Sequence, residues 1–150
     1  MKTFSRMSIL LLAGSLLAGA DPLMGTWKAI PGSNTSSNGP QNIVLKYEAT
    51  DAAGEVKFTL SGERSGQPYS YSWTAKPDGR KYPVEGQSSA QQIEFQRPAQ
   101  NHAITIHFRD GQEIARHDAT ISADGKVMTT KTRAKNREGA VMEFEAKYEK

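Results

Sequence analysis

The chain has 150 residues, no cysteine and a formal net charge of +3. Lacking thiols, it can form no disulfide, present no thiolate nucleophile and hold no cysteine-bound metal, so its fold must rest on burial alone. The basic excess is small, and removing Lys2 and Arg6 lowers it to +1, so overall charge does not mark a nucleic-acid binder.

Lys2 and Arg6 precede an apolar run from Met7 to Leu17 that ends in Ala18-Gly19-Ala20. This is the layout of a secretory signal with cleavage after Ala20. Ala20 also stands where a bacterial lipoprotein would carry its lipidated cysteine. The expectation is a signal peptide over 1–20 and a periplasmic or secreted protein with no membrane anchor after cleavage. Residues 21–150 are then one domain, long enough to bury a core.

The first strand is expected over Gly25–Ile30, followed by an open loop from Pro31 to Pro40 that is rich in Ser, Asn and Gly. Alternation then dominates. Leu45, Tyr47 and Ala49 are followed by Val56, Phe58 and Leu60, and then by Tyr69, Tyr71, Trp73 and Ala75 interleaved with Ser70, Ser72, Thr74 and Lys76. A period of two with one apolar face is strand periodicity. Further runs follow, separated by turn signals at Ser65-Gly66, Asp78-Gly79, Asp110-Gly111, Asp124-Gly125 and Gly139.

Register is testable, because a slip of one residue would turn a strand's apolar set to the wrong face. The turns pair Tyr47 with Phe58, Phe58 with Trp73, Trp73 with Val84, and Met128 with both Ile121 and Tyr148. They also predict Val84 opposite Ile93, Tyr82 opposite Phe95, Phe95 opposite Ile104, Ile93 opposite Ile106, Ile106 opposite Ala115 and Ile104 opposite His117. On the other face Glu48 meets Lys57, Lys131 meets Asp118 and Glu145, and Arg133 meets Glu143. Such exposed pairs contribute only about 0.2–1 kcal/mol each, but they fix orientation, and their acids neutralise what would otherwise be a basic stripe from Lys126 to Arg137. The expected fold is therefore all-β, an up-and-down antiparallel meander of about ten strands closed into a small barrel.

Gly25-Thr26-Trp27-Lys28 resembles the Gly-x-Trp opening of the calycins, the lipocalins and fatty-acid-binding proteins, and Lys147-Tyr148-Glu149-Lys150 is similar to the last strand of the fatty-acid-binding proteins. The resemblance implies a barrel that binds a small hydrophobic or amphipathic ligand inside. Two departures stand out. Only Ser33 to Gly39 occupies the place of that family's two lid helices, and Ala146 replaces the arginine of its ligand-gripping Arg-x-Tyr, of which Tyr148 remains.

The expected register collects two inward rows: Arg97, His102, Ala119, Thr130 and Ala146, then Phe95, Ile104, His117, Thr132 and Phe144. In this reading Arg97 and His102, helped by His117, Thr130 and Tyr148, hold the polar head of the ligand, with Thr132 also in the site. Phe58, Tyr71, Trp73, Phe95 and Phe144 line the rest, and Trp27 plugs the base. His102 and His117 share a side, His107 points outward and Glu113 points in. Two histidines without a nearby inward carboxylate make a poor metal site, and no catalytic triad, paired carboxylates or phosphate-cradling loop can be assembled. No cofactor and no nucleic-acid partner are expected; catalysis of the isomerase kind would require tuned tyrosines. The rival is a ligand-free structural or protein-interaction barrel whose Tyr and Trp side chains fill the interior, with the Ser33–Gly39 loop free to engage a partner.

Overall fold

The computed structural model describes residues 19–36 and 38–150, so nearly all of the expected signal segment lies outside the described residues. Eleven strands follow in order: β1 (Gly25–Ala29), β2 (Gln41–Ala49), β3 (Val56–Arg64), β4 (Gln67–Ala75), β5 (Lys81–Pro83), β6 (Glu85–Gly86), β7 (Gln92–Ala99), β8 (His102–Arg109), β9 (Gln112–Ile121), β10 (Val127–Lys135) and β11 (Val141–Glu149). No helix occurs among the described residues. All pairings are antiparallel, and the strands form one sheet in the order β5-β7-β8-β9-β10-β11-β1-β2-β3-β4-β6.

That order is a meander closed but for one seam. Lys28 and Ala29 of β1 pair with Glu149 and Tyr148 of β11, joining first strand to last. Beyond Ala29 the chain continues along β11. The Ile30 N–H donates to the Lys147 carbonyl and the Thr35 N–H to the Glu145 carbonyl, both at 2.9 Å, while the Ser33 and Thr35 hydroxyls accept from the Lys147 and Glu145 amides. The loop expected to be open is thus stitched down over its first half. At the opposite side β5 pairs with β7 and β6 with β4. These two are halves of one extended run that changes partner at Val84, so the meander has ten runs and a nearly closed wall.

Hairpin turns impose this path because their residues accept the left-handed backbone it needs. Ser65-Gly66 and Asp110-Gly111 have positive φ at both residues, 52° and 73° in one and 51° and 75° in the other. Turns with positive φ at both central residues match the right-handed twist of the strands they join. The β2–β3, β3–β4, β9–β10 and β10–β11 registers are those expected, including Tyr47↔Phe58, Phe58↔Trp73, Met128↔Ile121 and Met128↔Tyr148. The outer pairs Glu48↔Lys57, Lys131↔Asp118 and Arg133↔Glu143 are also present as neighbours across the ladder.

One strand departs from expectation. Phe95 lies opposite Thr105 instead of Ile104, and Ile93 opposite His107 instead of Ile106, after an irregularity between Gln96 and Ala99. Pro98 lies in that break; with no N–H to give to the ladder, proline tolerates strand interiors only at such bulges. A second bulge between His107 and Phe108 shifts β9 by one residue, so Thr105 meets His117, and Ile104 and Ile106 meet Asp118 and Arg116 instead of His117 and Ala115. The two slips cancel for β9, and only β8 is turned over. Ala103, Thr105 and His107 therefore face inward, while His102, Ile104, Ile106 and Phe108 face outward, with exposed Glu113 opposite Phe108. A further correction preserves the face: Tyr82 meets Ile93 rather than Phe95, two residues from the expected register.

The core is filled solidly at one end. Leu23, Trp27, Ile93, Phe95 and Met128 are fully buried. The Trp27 indole N–H donates to the Leu23 carbonyl at 2.9 Å, and the Lys150 ammonium lies 4.8 Å from the indole ring centre. Trp27 thus plugs the base. Above it the interior opens.

Candidate functional site

The strand ladders set inward residues of neighbouring strands side by side. One row runs Ala103, Ala119, Thr130, Ala146 across β8 to β11, and the next runs Phe95, Thr105, His117, Thr132, Phe144 across β7 to β11. Small side chains in the first row leave the wall thin. Against the other wall, aromatic rings form a chain: Tyr47 to Phe58 at 4.9 Å between centroids, Phe58 stacked on Trp73 at 4.9 Å, and Trp73 to Phe95 at 5.1 Å. Between thin wall and aromatic wall lies a cavity of about 500 Å³. The solid interior of the rival reading holds at the base and fails above it.

Of the residues expected to meet a ligand, Phe58, Tyr71, Trp73, His117, Thr130, Thr132, Phe144 and Tyr148 line this cavity. Three do not. Arg97 turns to the base, where its guanidinium donates to both carboxylate oxygens of Asp21 at 3.0 Å and to the Gln100 carbonyl at 2.8 Å. His102 is on the outer face, 2.7 Å from Asp118, because β8 is turned over. Phe95 is sealed in the base core, below the cavity.

In place of Arg97 and His102 the structure supplies His107. Its ring lies 4.6 Å from that of His117 and 6.0 Å from that of Tyr71, extending the line of rings across the interior. The His117 Nδ1 and the Thr132 hydroxyl are 2.8 Å apart. Burial lowers both imidazoles, His107 well below the ordinary 6.5 with the neighbouring His117 adding to the effect, and His117 to about 4. At neutral pH the pair is uncharged. Burial also raises the phenols of Tyr47, Tyr71 and Tyr148, the last to about 12, so none is poised as an acid or base near neutrality. Two buried polar atoms in the lining, the Trp73 indole nitrogen and the Thr130 hydroxyl oxygen, have no protein partner.

The cavity opens at the end holding the β3–β4, β8–β9 and β10–β11 turns. Its rim carries Arg64, Arg109, Lys135 and Arg137 with Asn34, Ser36, Asn136 and Met142. Among the described residues no group of three or more His, Asp or Glu side chains is placed to hold a metal ion. The inward position of His107, and of Thr105 and Ala103 with it, could have been found only by placing a bulge at Pro98. The rim cations required taking the hairpin tips of one end together.

No family model matches the chain, and no curated protein matches it. Among solved structures, the chain is similar to bovine odorant-binding protein, a lipocalin, in complex with its natural ligand, with a TM-score of 0.45 and 16% identity over 88% of this chain and 73% of that one. The bovine protein in complex with undecanal gives the same figures, and its complex with a selenium-containing odorant gives a TM-score of 0.44 and 16% identity over 88% of this chain and 75% of that one.

Proposed function

We propose that this chain is an exported binding protein that carries a small hydrophobic or amphipathic molecule inside its barrel. The observation that carries this reading is the cavity. Its volume of about 500 Å³ is in the range of small-molecule sites, and its make-up follows their pattern of apolar and aromatic walls with a few convergent polar groups. An unpartnered buried donor or acceptor costs about 1–3 kcal/mol, and the Trp73 N–H and Thr130 hydroxyl incur that cost within the lining. A neutral hydroxyl or carbonyl on a ligand would relieve it. The neutral histidines and unperturbed apolar walls favour binding over catalysis.

Export rests on the segment ending at Ala18-Gly19-Ala20. Intact mass spectrometry of the protein purified from its own host tests both parts. A chain starting at Asp21 and a non-covalent adduct removed by solvent extraction are expected. A chain starting at Met1 sinks export. No adduct, together with no uptake of a hydrophobic fluorophore by the extracted protein, sinks binding.

A further inference from the structure

The cavity's charges are all at one end and all of one sign. Among the described residues, Arg64, Arg109, Lys135 and Arg137 are the only permanently charged side chains in its lining, and no carboxylate is among them. They come from three hairpins that are separate in sequence but meet at the mouth: β3–β4, β8–β9 and β10–β11. None of the four lies within ion-pair distance of a carboxylate among the described residues. The acids at the same end stand outside the lining: Glu63 accepts from Asn42, Asp110 from Gln91, Glu113 is exposed opposite Phe108 on the β8–β9 hairpin, and Glu138 is on the β10–β11 turn. Arg64 is held across the Tyr69 ring, its guanidinium carbon 4.5 Å from the ring centre, and Tyr69 itself lines the cavity. Residues 21–150 carry a net charge of only +1, so apart from these four cations the domain is net acidic, and that acidity is kept off the cavity lining.

Resting on the binding reading above, we infer that the ligand is an anionic amphiphile whose tail fills the barrel and whose charged head stays at the mouth, among Arg64, Arg109, Lys135 and Arg137. Burying an anion in the interior would strip its hydration with no cation to replace it, because His107 and His117 are neutral there. At the rim the head group keeps part of its water and gains four positive charges. Met142, exposed and also part of the lining, extends the apolar surface from the cavity to the rim, which suits a molecule whose tail leaves the barrel beside its head. Any polar atom meeting Trp73 or Thr130 at depth is then an uncharged one.

The test is a titration of the solvent-extracted protein with two probes of equal tail length, dodecanoate and dodecanol, below their aggregation concentrations, followed by tryptophan fluorescence. Dodecanoate should bind about tenfold more tightly at low salt, and the ratio should shrink as ionic strength rises. In the protein with Arg64→Gln, Arg109→Gln, Lys135→Gln and Arg137→Gln together, the ratio should fall to about one. A preference that survives these substitutions, or equal binding of both probes to the unaltered protein, overturns the inference while leaving the binding reading intact. Failure of both probes to bind overturns the two together. Capture by anionic lipid vesicles without any dodecanoate preference overturns it as well, by assigning the rim to a bilayer surface.

Discussion

At the scale of single residues the most consequential side chains are buried or half-buried polar ones with changed duties. Arg97 closes the base by gripping Asp21 with two hydrogen bonds, and its side chain is only 14% exposed. Burial by itself raises the Asp21 carboxyl, but the Arg97 hydrogen bond, the Leu23 amide and the nearby positive charges outweigh it and hold the group below its ordinary 3.8. A lowered carboxyl contributes stability above its unfolded value and loses it as pH falls through the folded one. We therefore expect Arg97→Met to lower unfolding free energy by about 1–2 kcal/mol at pH 7, an exposed-side discount on a charged hydrogen bond. The difference should narrow below about pH 4 in urea titrations; a variant as stable as the parent at pH 7 would show that the clamp contributes nothing. His107 and His117 act in the opposite pH range. Both titrate below 6.5 in the fold, so the unfolded chain binds more protons as pH drops from 7 towards 4, and each histidine removes up to about 1.4 kcal/mol of stability per pH unit in that window. Replacing both by Gln should flatten the urea midpoint between pH 7 and 5, and an unchanged slope would place the titration elsewhere.

At the scale of elements, the hairpins were legible and one strand was not. Asp-Gly and Ser-Gly turns with alternating flanks define β2–β3, β3–β4, β9–β10 and β10–β11 down to the residue pair, because each of these strands has one apolar and one polar face. β8 is buried on both faces: Ala103, Thr105 and His107 on one, Ile104 and Ile106 on the other. Alternation then cannot say which side is in, and the decision passes to a proline bulge that periodicity does not register. The site inherited that ambiguity, so the expected His102 was exchanged for His107 while the partner row His117, Thr132 and Phe144 was unaffected. The short β6 is the other element that depends on backbone detail. Gly86 has φ of 95°, and a Cβ there would lie 2.8 Å from the Ser70 carbonyl oxygen and 3.0 Å from the Tyr71 Cα. Gly86→Ala should cost about 1–3 kcal/mol, from left-handed strain plus collision with backbone that cannot yield. Gly79→Ala, at a φ of 75° but with nothing within 4 Å, should cost about 1 kcal/mol, the strain alone. Equal losses for the two in urea midpoints would mean that β6 does not hold the seam to β4.

At the scale of the whole molecule, the barrel is a container with a solid floor and a hollow upper half, and the two halves can be separated by mutation. The floor of Leu23, Trp27, Ile93, Phe95 and Met128 supplies close packing, while the thin wall of Ala119, Thr130 and Ala146 borders the cavity. Enlarging a residue in a packed core strains its neighbours by about 1–3 kcal/mol, but enlarging one beside an open cavity buries new apolar surface at about 25 cal/mol per Å² without that collision. Ala119→Phe combined with Ala146→Phe should therefore leave the thermal midpoint equal to or above the parent's, while the affinity for a barrel-filling fluorophore falls more than tenfold. Ile93→Ala, in the floor, should do the reverse: a loss of about 2–5 kcal/mol in stability, with binding retained at temperatures where the fold persists. A double-Phe variant that is folded and binds as before would show that the occupant does not sit inside the wall, and one that unfolds would show that the upper half is as tightly packed as the floor.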